Sequence, residues 1–218
     1  MIEFNKVSKW FNGTEGKVTA LKDVSFHVGP GELLAIRGPS GCGKTTLLLA
    51  AGGLLRPSEG HIRLDGRDAY ELSPEQRSKL RARTIGFVFQ QFHLIPYLTV
   101  RQNILAASLA LPEREVATRA QDIIHHFGLD DRVNHVPAQL STGERQRTAL
   151  ARAVLNEPKV ILADEPTGNL DEDNARIVLG YLGQYVDDGG CVLLVTHDQR
   201  AAAHATRTLQ MRQAQLVD

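Results

Sequence analysis

Gly38-Pro39-Ser40-Gly41-Cys42-Gly43-Lys44-Thr45 fits the pattern G-x-x-x-x-G-K-[ST], in which each residue type has a task in holding a phosphate chain. The glycines let the backbone wrap the anion, so that successive N–H groups and the N-terminus of a following helix supply the donors. Lys44 is suited to reach the β- and γ-phosphates. The hydroxyl of Thr45, with Thr46 beside it, opens the helix where Mg2+ would take an oxygen ligand. Cys42 is expected to turn its side chain away from the phosphate while its N–H donates. The loop specifies a nucleoside triphosphate and leaves open what its hydrolysis is used for.

Two further groups have matching chemistry. Val160-Ile161-Leu162-Ala163 is an apolar run ending in the carboxylates of Asp164 and Glu165, and ligands of open α/β sheets gather at strand C-termini. Asp164 is suited to hold Mg2+, and Glu165 to orient and deprotonate an attacking water. Leu140-Ser141-Thr142-Gly143-Glu144 opens a helix with an S-x-x-E capping box. A hydroxyl and a glycine N–H at a helix N-terminus also form an anion site. His197 follows the apolar run Val192 to Val195 and precedes Asp198, which again puts a titratable group at a strand end.

These groups need a sheet to bring them together. Leu33 to Ile36, Ile85 to Phe89, Val160 to Ala163 and Val192 to Val195 are short and apolar throughout, as buried parallel strands are. Val24 to Val28 alternates as a half-buried strand does. Thr45 to Leu55 reads as a buried helix stopped before Pro57, Glu115 to Phe127 as an amphipathic helix closed by Gly128, and Glu144 to Leu155 as a third. Thr208 to Met211 and Gln215 to Val217 suggest a hairpin, although Arg212-Gln213-Ala214 is poor turn chemistry. The expectation is one α/β domain over residues 1–218, with a helical subdomain at about 92–156 inserted between core strands.

Composition narrows the function classes. With 218 residues, 42% hydrophobic and 23% charged, the chain can bury a full core without staples. Lys+Arg and Asp+Glu number 25 each, which disfavours a strongly basic nucleic-acid binder. Arg77, Lys79, Arg81 and Arg83 lack interleaved aromatics and read as a solvated helix face, so no nucleic-acid partner is expected. The two cysteines, Cys42 and Cys191, have neither the number nor the spacing of a metal site or disulfide framework. With no apolar run near the roughly 18 to 20 residues that span a bilayer, and no signal-like stretch at Met1 to Lys9, a cytoplasmic chain is expected.

In this order the motifs resemble the ATP-binding cassette of ABC transporters, over essentially the whole chain. The phosphate loop, Gln90 after the Ile85 to Phe89 strand, the signature Leu140 to Glu144, Asp164-Glu165, Asn169-Leu170-Asp171 and Thr196-His197-Asp198 stand in family order. The resemblance implies a P-loop NTPase core of RecA-like type with an antiparallel β subdomain and an inserted helical subdomain. It implies a head-to-tail homodimer sandwiching two ATP molecules with Mg2+, each between one subunit's loop and the other's signature. Carried over by position, Gln90 contacts Mg2+ and water, Ser141 and Gly143 the γ-phosphate of the opposite site, and His197 the γ-phosphate of its own. Asp171 couples the two sites, and Phe11, or else Trp10, stacks on adenine.

The phrases Ile85 to Pro96 and Leu162 to Asp171, with the loop Asn12 to Lys17, look like the lipoprotein-release and macrolide-export branch. Cell-division and peptide-resistance cassettes share most of them and are the alternative; a soluble non-transport ABC ATPase is disfavoured. The branch implies a permease on separate transmembrane chains, an inner-face membrane location, and docking at Phe92 to Tyr97 through Phe92, Ile95 and Tyr97. Thr142 stands where the family usually has a glycine and Glu144 where glutamine is common. If position 142 required φ > 0, threonine there would cost roughly 1 to 3 kcal/mol of strain; hydrolysis is expected to be intact.

Overall fold

The computed structural model describes residues 1–13, 16–110 and 116–217. The chain opens with two long antiparallel strands, β1 (Ile2–Gly13) and β2 (Gly16–Val28), and enters the core through β3 (Glu32–Arg37). The helix α1 (Lys44–Ala51) follows directly on the phosphate loop, and β4 (Glu59–Leu64) and β5 (Arg67–Asp68) return to β1. Together they make a four-stranded antiparallel sheet in the order β2-β1-β4-β5. Ile2 and Phe4 point inward in alternation with the polar residues Glu3 and Asn5, as one-sided burial demands.

The second sheet has six strands. After α2 (Pro74–Thr84) comes β6 (Ile85–Phe89), and then the helices α3 (Val100–Leu105), α4 (Val116–His126) and α5 (Thr142–Val154) are inserted before β7 (Val160–Asp164). The helix α6 (Glu172–Asp187) leads to β8 (Cys191–Thr196), and α7 (Gln199–Ala202) to the hairpin β9 (Arg207–Arg212) and β10 (Gln215–Val217). The order is β10-β9-β3-β8-β7-β6, all neighbours parallel except β9 with β10. Helices and the antiparallel sheet cover its faces, so every residue of β8 is buried.

Several sequence expectations shift in detail. The first helix ends at Ala51 rather than Leu55, because Gly52 and Gly53 follow, the latter with φ 67. The signature helix starts at Thr142, two residues early, with Ser141 as its N-cap. Glu115 lies outside the described residues, as do positions 14 and 15 of the Asn12 to Lys17 loop. The terminal hairpin forms despite its turn: Gln213 and Ala214 both take left-handed backbone, φ 46 and 68. Tertiary bonds hold them there, from the Ala214 N–H to Cys42 O at 3.2 Å and from the Lys22 N–H to Ala214 O at 2.7 Å.

Candidate functional site

At the C-terminal ends of β3, β7 and β8 the chain leaves the sheet three times, and the three departures enclose one cleft. The cleft, about 430 Å3, is lined by Ser40, Gly41, Gly43, Lys44, Thr45 and Thr46 from the first departure. Asp164 and Glu165 come from the second, His197 from the third, and Gln90 from the end of β6. Gly43 caps α1 with φ 112, and a Cβ there would lie 2.2 Å from Ala20 O, so only glycine permits this approach.

The polar groups of the cleft satisfy one another. Lys44 donates from Nζ to Gly38 O at 2.7 Å and to Pro39 O at 3.1 Å, curling back over its own loop. The Thr45 hydroxyl donates to Asp164 Oδ2 at 3.0 Å. Burial raises the Asp164 carboxyl above the ordinary aspartate range; Glu165 adds to that, and Thr45 and Lys44 oppose it. Glu165 has left-handed backbone, φ 46, fixed by its N–H to Val195 O at 2.9 Å. Its carboxylate accepts the Thr196 hydroxyl at 2.9 Å and lies 2.8 Å from His197 Nδ1 and 3.9 Å from Lys44 Nζ.

A cleft with a glycine-wrapped loop, one lysine and a paired carboxylate matches what the spacing implied. The same chain gives the same answer by comparison: the family model for ABC transporters matches residues 21–168. The chain belongs to the ABC transporter family. The ATP-binding protein MJ1508 of Methanocaldococcus jannaschii, described as an uncharacterised ABC transporter protein, is 40% identical over 221 residues, covering 100% of this chain and 98% of that one. The macrolide export ATP-binding/permease protein MacB of Salmonella choleraesuis is 41% identical over 219 residues. That match covers the whole of this chain but spans only about a third, 34%, of MacB.

Among solved structures, the dimeric bacterial cassette MJ0796 superposes with a TM-score of 0.93 at 36% identity, covering 100% of this chain and 97% of that one. Its post-hydrolysis dimer with ADP and Pi gives 0.92. The fold of this chain is therefore that of an ABC ATPase cassette.

The remaining residues of the cassette sort by place. Gly38 and Pro39 lie behind the loop, where their carbonyls take Lys44. Cys42 is buried in the core with its side chain, and its N–H reaches Pro39 O at 3.4 Å. Burial pushes the Cys191 thiol up to about 12, which disfavours its thiolate. Phe11 does not line the cleft but pairs across the hairpin with Val18, which does. Lys9 Nζ sits 5.1 Å over the Phe11 ring, and Lys17 Nζ 3.4 Å over Trp10.

The signature residues lie apart from the cleft. Ser141 caps α5 by accepting the Glu144 N–H at 3.2 Å, while Glu144 accepts the Ser141 N–H at 2.7 Å and the Arg132 Nε–H at 2.7 Å. Asp171 caps α6 and accepts both the N–H and the side-chain amide of Asn174; these bonds hold its carboxyl below the usual range. Within one chain Gly143 thus faces Asn174, which Asp171 holds in turn, and neither Ser141 nor Gly143 lines the cleft of the phosphate loop.

Two corrections concern the signature and the docking stretch. Thr142, the first residue of α5, is not among the positive-φ positions, so the condition under which threonine would be strained is not met. Of the three aromatic and aliphatic docking candidates only Tyr97 is well exposed, at 79%; Phe92 and Ile95 are half-buried. Sequence reading missed Asn103, fully buried, which accepts the Ile95 N–H and donates to the carbonyls of Ile95, Leu98 and Thr99. Its signal was a polar residue at a core position of α3.

Proposed function

We propose that the cassette hydrolyses ATP in a head-to-tail homodimer and thereby drives a separate transmembrane permease, in export or in extraction of a membrane-held substrate. The carrying observation is the Glu165 carboxylate, fixed by Thr196 and His197 in the same cleft as Lys44 and Thr45. In this reading ATP enters with its β- and γ-phosphates on the loop. Lys44 leaves the carbonyls of Gly38 and Pro39 to follow them, because a phosphate oxygen is the stronger acceptor.

Glu165 takes a proton from the water that Gln90 and His197 help to orient. That water forms the new P–O bond to the γ-phosphorus while the bond to the bridging oxygen breaks, releasing ADP and phosphate. The donors offered by Thr45, Asp164 and Gln90 are all oxygens, the hard set that suits Mg2+. Mg2+ held there would neutralise charge on the β- and γ-phosphates. Ser141 and Gly143 would meet the γ-phosphate of the partner's site, Asp171 would couple the two, and Phe11 would cover the adenine from the rim beside Val18.

No helix of the described residues is long and apolar enough to cross a membrane. In this reading the permease holds the cassette at the inner face, docking near Tyr97. The similarity to MacB favours the export and lipoprotein-release branch over cell-division cassettes. ATP turnover and ATP-dependent dimerisation of the natural chain, compared with Glu165→Gln by phosphate release and sizing chromatography, test the reading. Loss of turnover with a trapped dimer is expected; turnover surviving in Glu165→Gln would overturn it.

A further inference from the structure

The segment that leaves β6 after Gln90 holds an unusual backbone. Phe92 and His93 are consecutive non-glycine residues with positive φ, 58 and 47, a conformation L-residues avoid because Cβ crowds the carbonyl. Local bonds fold the turn, from the Phe92 N–H to Phe89 O at 3.1 Å and from the His93 N–H to Gln91 O at 2.6 Å. The next carbonyls belong to another element. Arg152, on α5, donates from one terminal nitrogen to Phe92 O and from the other to His93 O, both at 2.6 Å. Asn169 donates to Gln90 O at 3.1 Å, so each carbonyl from Gln90 to His93 has a donor.

A guanidinium suits this task and an ammonium does not. Its rigid fork meets two neighbouring acceptors at once, and Lys offers a point charge. Burial lowers the Arg152 pKa, yet no carboxylate pairs with it among the described residues; its partners are the two carbonyls. The same helix has Ser141 as its N-cap and Gly143 in its first turn. One rigid rod therefore joins the signature end to the turn that carries Gln90.

We propose that Arg152 is a positioning residue which clamps the left-handed turn at Phe92 and His93 and thereby sets Gln90 in the cleft, coupling movement of α5 to Gln90. This deepens the proposed function and rests on its reading of Gln90 as a hydrolytic residue. The clamp acts on the chemical step and leaves nucleotide binding to the phosphate loop.

The experiment measures ATP turnover, affinity for a fluorescent ATP analogue and thermal stability of the full chain as Arg152→Lys, Gln90→Ala and both together. Arg152→Lys is expected to lower kcat about tenfold with nucleotide affinity unchanged, and the double variant is expected to turn over no more slowly than Gln90→Ala alone, since a residue that acts through another adds nothing once the other is gone. Phe92→Gly with His93→Gly in the Arg152→Lys chain should recover most of the loss, because glycine takes positive φ unaided. The proposal falls if Arg152→Lys keeps kcat within about twofold, if the two losses multiply, or if glycine gives no recovery. If Gln90→Ala alone leaves turnover unaltered, the reading of Gln90 itself fails and takes the clamp's role with it.

Discussion

Oδ1 of Asn174 fills the space that a side chain at position 143 would need: a Cβ on Gly143 would lie 2.0 Å from it. Asn174 is in turn tied to Asp171 at 2.7 Å and to Arg147 at 3.3 Å. A Cβ at position 143 would thus have to push the Asn174 side chain off these partners, independently of any phosphate. Gly143→Ala should give less than the roughly 1 kcal/mol of stability that alanine normally gains over glycine in a helix, because it displaces Asn174 from its bonds. In an Asn174→Ala background the full gain should appear in urea denaturation; the same shortfall there would mean that something other than Asn174 resists the side chain.

Thr142 occupies the first turn of a helix with unstrained backbone. Thr142→Gly should therefore leave ATP turnover within about twofold of the natural chain and slightly lower stability, by roughly 0.5 kcal/mol. A large gain in turnover, read by phosphate release, would reveal a strain absent from this geometry.

Thr196 is fully buried, and its hydroxyl both donates to Glu165 Oε2 and accepts the Asp198 N–H at 3.0 Å. Thr196→Val keeps the shape and removes the hydroxyl. The Glu165 carboxylate then loses one of its two close partners and the Asp198 N–H its acceptor, at a cost of about 1 to 2 kcal/mol. We predict a fall in kcat of about tenfold with KM for ATP little changed. A raised KM with kcat unchanged would place the hydroxyl in binding instead.

The Glu144 carboxyl titrates below its ordinary value of 4.5, first because the Ser141 N–H donates to it and further because Arg132 faces it. A depressed folded-state pKa contributes stability above the unfolded value and loses it as pH falls through the folded one. Glu144→Gln keeps an oxygen for the Ser141 N–H but gives up the charge. The variant should be less stable at neutral pH by about 0.5 to 1 kcal/mol, since Arg132 is partly solvated. The difference should close well below pH 4.5, as denaturation midpoints at the two pH values will tell.

Tyr97 projects into solvent beyond the turn that Arg152 holds. With the permease reconstituted, Tyr97→Asp should leave ATP turnover of the isolated cassette unchanged and reduce transport. Transport at full rate would remove this residue from the docking surface.

What the sequence disclosed depended on how local the cause was. The phosphate loop and Asp164-Glu165 were legible because their chemistry needs fixed residue types at fixed spacing. β7 and β8 were legible because burial on both faces leaves only apolar residues. The helix α6 left a signal that was passed over: Asp171 caps it, and Val178, Leu179, Leu182 and Val186 form its buried stripe. The hairpin turn at Gln213 and Ala214 had no local signal, since bonds from distant residues impose its shape. Nor could spacing choose between Trp10 and Phe11, because a register shift between Lys9 and Trp10 reassigns faces along β1.

That same hairpin turn sets an order of events during synthesis. Ala214 bonds to Cys42 within the nucleotide loop, and β9 flanks the strand from which that loop departs. Residues 38–45 leave the ribosome long before the chain that completes their surroundings. A nascent cassette halted before Arg207 would carry every letter of its nucleotide motif and still lack this brace on the loop, which arrives only once residues 207–214 have been made.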